Sequence, residues 1–384
     1  MCTRRSAVLV VVLTFVAADA SAQFAAHTVA TEIRGGYQVV AADLNRDGRT
    51  DLVALGSQMA ELVWFENPGW QRHVITTAAS RMINMDAADA DGDGVPEIGL
   101  AYEFSTNPGK SLGKIAILQS TADPREPWTL KEIDAIPTSH RVRWADVDGN
   151  GRRVLVNAPI LHAKATGFPD PDRLPTPLVL YRPGAWTAEP ITVENQGVVH
   201  GLLAVDRDGD GRQEVLTAGR LGIHAHSLGK DGTWKRTEIA NGNPAPYPDG
   251  GASEVGTGFV NKARFYATIE PFHGNMVVVY RQDSQGEWRR QVIDSELSNG
   301  HSLQVVDFDG DGAHEIVAGG TRGPKSVYMY RMAADGQTWE RSVVDAELAA
   351  NSCTVADING DKKMDLACID GTAPFNLKWY QHIQ

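Results

Sequence analysis

The chain has 384 residues, 42% hydrophobic and 22% charged, with a formal net charge of −12 at pH 7 and three cysteines. An acidic balance without clustered Lys and Arg excludes a nucleic-acid partner, because phosphate binding needs basic patches. Length alone suggests two or three domains of ~150 residues each, but internal repeats override that prior and are sought first.

At the start of the chain, Arg4 and Arg5 precede the apolar run "AVLVVVLTFVAA", and the small-residue pattern "ASA" follows at Ala20 to Ala22. The run is too short to span a bilayer and reads as a secretory signal peptide over residues 1–22, with Gln23 as the mature start. No other segment reads as a membrane span, so a secreted or periplasmic protein is expected. Cys2 lies before the apolar run and leaves with the signal. Cys353 and Cys368 remain, compatible with one optional disulfide in an oxidising compartment.

Along the mature chain the same acidic turn recurs: "DLNRDGRTDL" from Asp43, "DADGDGVPEI" from Asp89, "DVDGNGRRVL" from Asp146, "DRDGDGRQEV" from Asp206, "DFDGDGAHEI" from Asp307 and "DINGDKKMDL" from Asp357. The starts lie about 45 to 60 residues apart, the range of a four-stranded propeller blade, except for one double-length gap after Asp206. That gap holds "EVGTGFVNKARFYATIEPF", with Asn261 in place of the first aspartate, which brings the repeats to seven.

A second series closes six of the repeats with a tryptophan and a short alternating strand, at Trp70, Trp128, Trp186, Trp234, Trp288 and Trp339. The seventh member, "FAAHTV" from Phe24, is at the opposite end of the chain. The expected fold is therefore all-β: a seven-bladed β-propeller of four-stranded blades over residues 23–384, its ring closed by the N-terminal strand.

The turns carry hard oxygen ligands at positions 1, 3, 5 and 9 and a glycine at 6 for the sharp bend, which suits Ca²⁺. The expected ligands are Asp43, Asn45, Asp47 and Asp51; Asp89, Asp91, Asp93 and Glu97; Asp206, Asp208, Asp210 and Glu214; and Asp307, Asp309, Asp311 and Glu315. Asp357, Asn359, Asp361 and Asp365 form a weaker set, since Lys362 replaces the glycine, and the Asp146 turn has Val154 at position 9. These turns resemble the FG-GAP or VCBS repeats of integrin-type and secreted bacterial propellers. That resemblance implies the fold and the structural calcium but not an activity.

Six residues before the first aspartate stand His140, His200 and His301, in three different blades. At about 3.3 Å per residue this register lies roughly 20 Å from the acidic turns, on the opposite face of the ring. Imidazoles converging there suit Zn²⁺ or another borderline divalent metal with an open coordination position. Glu270 and His273, in "TIEPFHGN", are candidates for general base and acid, and Glu254 is a further candidate base. Arg141 and Arg143 are candidates for holding a substrate oxygen.

The segments "SHRVRWADVD", "VVHGLLAVDRDGDGR", "TIEPFHGNMVVVY" and "GHSLQVVDFDGDG" together resemble the propeller domain of the aldos-2-ulose dehydratase family. The resemblance implies loss of water from a keto-sugar, a divalent metal on His140, His200 and His301, and a cleft lined by Glu270 and His273. The cupin and lectin-like domains of that family are not found in this chain. The expected function is a secreted, metal-dependent, carbohydrate-active lyase or dehydratase that eliminates on a keto-sugar or a uronic-acid-containing saccharide. The rival is a non-catalytic propeller that binds carbohydrate or a protein partner.

Overall fold

The short runs rich in β-branched and aromatic residues fit a pleated, half-buried surface. In the computed structural model they form, among the described residues, 28 strands and no α-helix. It describes residues 23–383 apart from 193, 195, 196 and 324; the predicted signal peptide, 1–22, lies outside the described residues.

The strands make seven antiparallel four-stranded sheets. Blade 1 runs through Gly36–Ala42, Asp51–Gly56, Leu62–Glu66 and Gln71–Thr76, and blades 2 to 6 repeat the order. The seventh sheet takes Ala350–Ala356, Asp365–Asp370 and Leu377–His382 from the end of the chain and its outer strand, Phe24–Ala30, from the beginning. Phe24 there pairs with His382. Each inner strand lies beside the inner strands of both neighbouring blades, blade 7 beside blade 1 included. The fold class read from the repeats is the fold observed.

Second strands such as Asp51–Gly56 and Glu97–Tyr102 are buried along their whole length, because a sheet covered on both faces has no solvent side. Seven apolar clusters each bridge one pair of adjacent blades. Val53 and Leu55 meet Ile98 and Leu100 between blades 1 and 2, and Ala367 and Ile369 meet Leu52 and Ala54 between blades 7 and 1. Buried tyrosines tie neighbouring blades further: the hydroxyls of Tyr181, Tyr330 and Tyr380 donate to Asp134, Asp294 and Asp345 at 2.7 to 2.9 Å. Cys353 and Cys368 face each other across two strands of blade 7 and are joined by a disulfide. Among the described residues no helix is long and apolar enough to cross a membrane.

Five inner strands carry a register shift at their second residue. Gly36 pairs with Gly56 and Gln38 with Leu55, leaving Tyr37 unpaired. The same bulge leaves out His140, His200, His301 and Asn351 in blades 3, 4, 6 and 7. Blades 2 and 5 pair their inner strands without it.

Candidate functional site

A bulged residue has no partner across the ladder, and the added local twist re-aims its side chain. Here the bulges bring histidines of separate blades together: the ring of His200 lies 4.9 Å from that of His140 and 5.0 Å from that of His301. A fourth imidazole arrives from the turn after Ala263–Glu270 in blade 5, where His273 sits at φ +50 and the Gly274 amide donates to the Pro271 carbonyl. His273 Nε2 is 2.9 Å from His200 Nε2, and the His273 ring is 5.0 Å from that of His301.

Nitrogen atoms of His200, His273 and His301 all lie within 4.8 Å of one another. The tight trio therefore contains His273, whereas His140, expected as a ligand, flanks it. Surrounding acceptors fix the tautomers. His200 Nδ1 faces the Ser253 carbonyl at 3.1 Å and Glu254 Oε1 at 2.8 Å, so it carries the proton. His301 Nδ1 likewise faces the Asn351 carbonyl at 2.6 Å. Both Nε2 atoms are left with a lone pair, the arrangement in which a second partner orients a metal-binding imidazole.

Burial pushes His140, His200 and His301 well below the ordinary histidine range, and the Arg141 guanidinium acts in the same direction on each. His273 is lowered to about 4 by burial and by Arg141, Arg220 and Arg322. Neutral imidazoles are the form that ligates a borderline cation. Two facing Nε2 atoms need a proton or a cation between them, and His140 Nδ1 is buried with no hydrogen-bond partner among the described residues. The donor set thus fits a Zn²⁺-class ion.

The remaining expected residues divide. Glu254 stands behind His200, its Oε1 2.8 Å from Nδ1, and accepts from Arg141 Nη2 at 3.2 Å, so its place is that of a positioning group. Arg141 reaches the cluster, 3.2 Å from His200 Nε2 and 3.3 Å from His140 Nε2. Arg143 turns away to the Asn84 side chain at 2.9 Å. Glu270, expected beside His273 as a base, is fully buried within blade 5, where it accepts from Tyr280 at 2.6 Å, Thr268 at 2.9 Å and Arg290 at 2.8 Å. Strand alternation explains this: Glu270 is the last residue of its strand and faces into the blade, while His273 follows the turn.

Two residues escaped the sequence reading although they share the histidine register. Tyr37 stands six residues before Asp43, and its hydroxyl is 3.3 Å from both His140 Nε2 and His301 Nε2. Asn351, six before Asp357, supplies the carbonyl that orients His301. The shared offset was the available signal, and a search for histidine alone passed over it. Phe272 also closes the cluster, stacked on His273 at 4.5 Å and edge-on to His200 at 5.2 Å. On the channel side a cavity of about 190 Å³ opens beneath Tyr37, Arg141, Glu254 and His301.

At the other face the acidic turns are organised by their own backbone. The first aspartate accepts the amide of the sixth residue, as from Gly94 to Asp89 at 2.9 Å. The ninth-position carboxylate accepts the amide of the second residue, as from Phe308 to Glu315 at 3.1 Å. Lys362 adopts the left-handed φ of +69 expected of glycine and donates to Asp357 at 2.8 Å. Burial raises Asp51 to about 7 and raises Glu97, Glu214, Glu315 and Asp365. Ligand oxygens come within 4.8 Å of one another at Asp89, Asp91 and Glu97, at Asp206, Asp208 and Asp210, and at Asp307, Asp309 and Asp311. At the Asp43 turn, Asn45 instead donates to Glu66 at 3.0 Å.

Residues 43–100 and 307–368 match the model of the FG-GAP-like repeat, and residues 112–283 match that of the aldos-2-ulose dehydratase β-propeller domain. Both resemblances read from the sequence hold. The dehydratase-type segment contains His140, His200, Glu254 and His273, while His301 lies beyond it. Aldos-2-ulose dehydratase of Phanerodontia chrysosporium is 25% identical over 299 residues, which take in 68% of this chain and 32% of that protein. The matched region thus spans about a third of that relative's length. Among solved structures, an exotype rhamnogalacturonan lyase, YesX, superposes with a TM-score of 0.49 at 14% identity, covering 90% of this chain and 72% of that one.

Proposed function

We propose that the protein is an exported, metal-dependent, carbohydrate-active lyase or dehydratase whose reaction centre is the histidine cluster, and that its acidic turns hold structural Ca²⁺. The trio of His200, His273 and His301 carries this reading, with the Nδ1 protons of His200 and His301 held by the Ser253 and Asn351 carbonyls so that their Nε2 atoms are free for a cation. The match to the dehydratase propeller supports a sugar substrate, and the signal pattern and the disulfide support export.

His200, His273 and His301 would hold the cation, which when bound supplies Lewis-acid polarisation of a sugar carbonyl or carboxylate. Elimination then requires removal of the proton α to that group and departure of the β-oxygen with a proton. His140 Nε2 and the Tyr37 hydroxyl, 3.3 Å apart, are the pair able to hold and move a proton beside the trio. The Arg141 guanidinium, fixed by Glu254, presents charge to a substrate oxygen. Phe272 and Phe104 cover the imidazoles of His273 and His140 and keep water from them.

The exported chain, incubated with keto-sugars and with uronic-acid-terminated oligosaccharides, should yield an unsaturated, ultraviolet-absorbing product. His200→Ala and His273→Ala should each lose transition metal by elemental analysis and reduce the rate by about 100-fold or more, since even groups behind a ligand are worth 10- to 100-fold. Sugar binding by the wild type with no product, retained in both variants, would assign the cluster to a binding propeller instead.

A further inference from the structure

Arg220 follows the strand Glu214–Gly219 of blade 4 and reaches the rim of the histidine cluster. Its guanidinium carbon lies 4.4 Å from the centre of the Phe272 ring and 5.8 Å from that of Phe168. Phe168 belongs to the long loop of blade 3, is 40% exposed, and packs on Phe272 at 5.8 Å. Phe272 in turn stacks on His273, so one phenyl ring separates the guanidinium from the trio.

Arg290, Arg331 and Arg341 each meet carboxylates at 2.7 to 2.9 Å. Arg220 has no ion pair among the described residues, and its Nε is buried without a hydrogen-bond partner. Asp249 and Tyr247 act on it only at a distance, and burial lowers its proton affinity. A half-buried guanidinium with an unmet Nε and no ion pair is costly for the free protein, and a planar anion recovers that cost through paired hydrogen bonds.

The local charge points the same way. Arg141, Arg220 and Arg322 all bear on His273. The carboxylate in direct contact with the cluster is Glu254, which Arg141 already engages. Arg322 is exposed and follows the strand Glu315–Gly320 in blade 6. Neither Arg220 nor Arg322 has an ion pair among the described residues, so the charge they bring to bear on His273 is not matched by a paired acid.

We infer that the sugar taken by this cleft is a uronate, with its carboxylate on the Arg220 guanidinium between Phe168 and Phe272 and its ring against the histidine trio. This rests on the cleft being the substrate site proposed above. A neutral keto-sugar leaves the charge of Arg220 unmatched. A carboxylate is flat enough to lie along the guanidinium beside two phenyl faces and accepts two of its N–H groups together. The carboxylate would also be the group that acidifies the adjacent C–H bond, with the Arg220 guanidinium balancing its charge.

Isothermal titration of the exported chain with the methyl glycosides of galacturonate, glucuronate and mannuronate, each against its own methyl ester, tests this without turnover. At least one acid should bind about 10- to 100-fold more tightly than its ester, the worth of a hydrogen-bonded charge pair. Arg220→Gln should abolish the preference, Arg220→Lys should keep part of it, and added salt should weaken it. Arg322→Gln, at an exposed position, should lower the preference by a smaller factor and serves if Arg220→Gln melts early. Equal affinity for acid and ester, no binding of either, or a preference unchanged in Arg220→Gln in a folded protein would overturn the inference. Acid preference that depends on Arg220 without any unsaturated product would sink the elimination reading and leave this one standing. Product from neutral keto-sugars with no acid preference would do the reverse.

Discussion

The two ends of each inner strand are built on opposite principles. At the acidic end, the bonds that shape each turn join residues at most seven positions apart, as in Ala90 to Glu97 or Gly211 to Asp206, with longer ties such as Asn45 to Glu66 or Arg331 to Asp309 added from outside the turn. At the histidine end, contacts join residues of different blades, such as His200 with His273 or Tyr37 with His301. One end repeats a local device and gains redundancy. The other end is assembled once from non-local parts, so the loss of any part is felt.

That contrast is sharpest when each end is disturbed separately. Calcium chelation should produce the largest change, because each independent site filled at a hundred times its dissociation constant adds about 2.7 kcal/mol to the folded state. Melting in excess chelator should drop markedly and recover on calcium addition; an unchanged curve would mean the turns hold themselves by hydrogen bonds alone.

Glu254→Gln addresses the opposite end. The amide keeps the shape beside His200 Nδ1 but cannot neutralise Arg141, so affinity for a transition metal should fall by about 10- to 100-fold with little change in melting. Competition titration with a chromogenic chelator reads this directly. A drop in melting temperature with metal affinity intact would make Glu254 a folding residue only.

The smallest effect is expected within the acidic face itself. Asp146→Asn lies in the turn that has Val154 at position 9. It keeps an oxygen for only one of the amides of Asn150 and Gly151, which now bond separate carboxylate oxygens. Its stability should fall by about 1 kcal/mol or less. Asp206→Asn, in a turn whose three aspartates converge, should cost more and lose calcium dependence at that site. Equal shifts in the two variants would remove the distinction between full and partial turns.

Much of this architecture was legible because repetition makes it so. The acidic turns and the tryptophan series gave the blade count, and a constant offset of six residues put His140, His200 and His301 at one level. The offset could not show that His273 would displace His140 from the tight trio, since that depends on a turn with no counterpart in the other blades. Nor could proximity in sequence place Glu270, whose side chain the strand's alternation sends to Arg290 and Tyr280. Glu254 looked like a base because it is a carboxylate near the register. Only its 2.8 Å contact with His200 Nδ1 shows it standing behind the imidazole.

The bulge at the second residue of five inner strands also bears on how such a ring acquires new chemistry. An unpaired position sits outside the ladder, so exchanging its side chain does not shift the register of the residues on either side. Tyr37, His140, His200, His301 and Asn351 already occupy that place with three different residue types. The ring works as a rack of five interchangeable sockets around one axis, in which a substitution alters the reagent presented to the centre while the scaffold that presents it stays as it was.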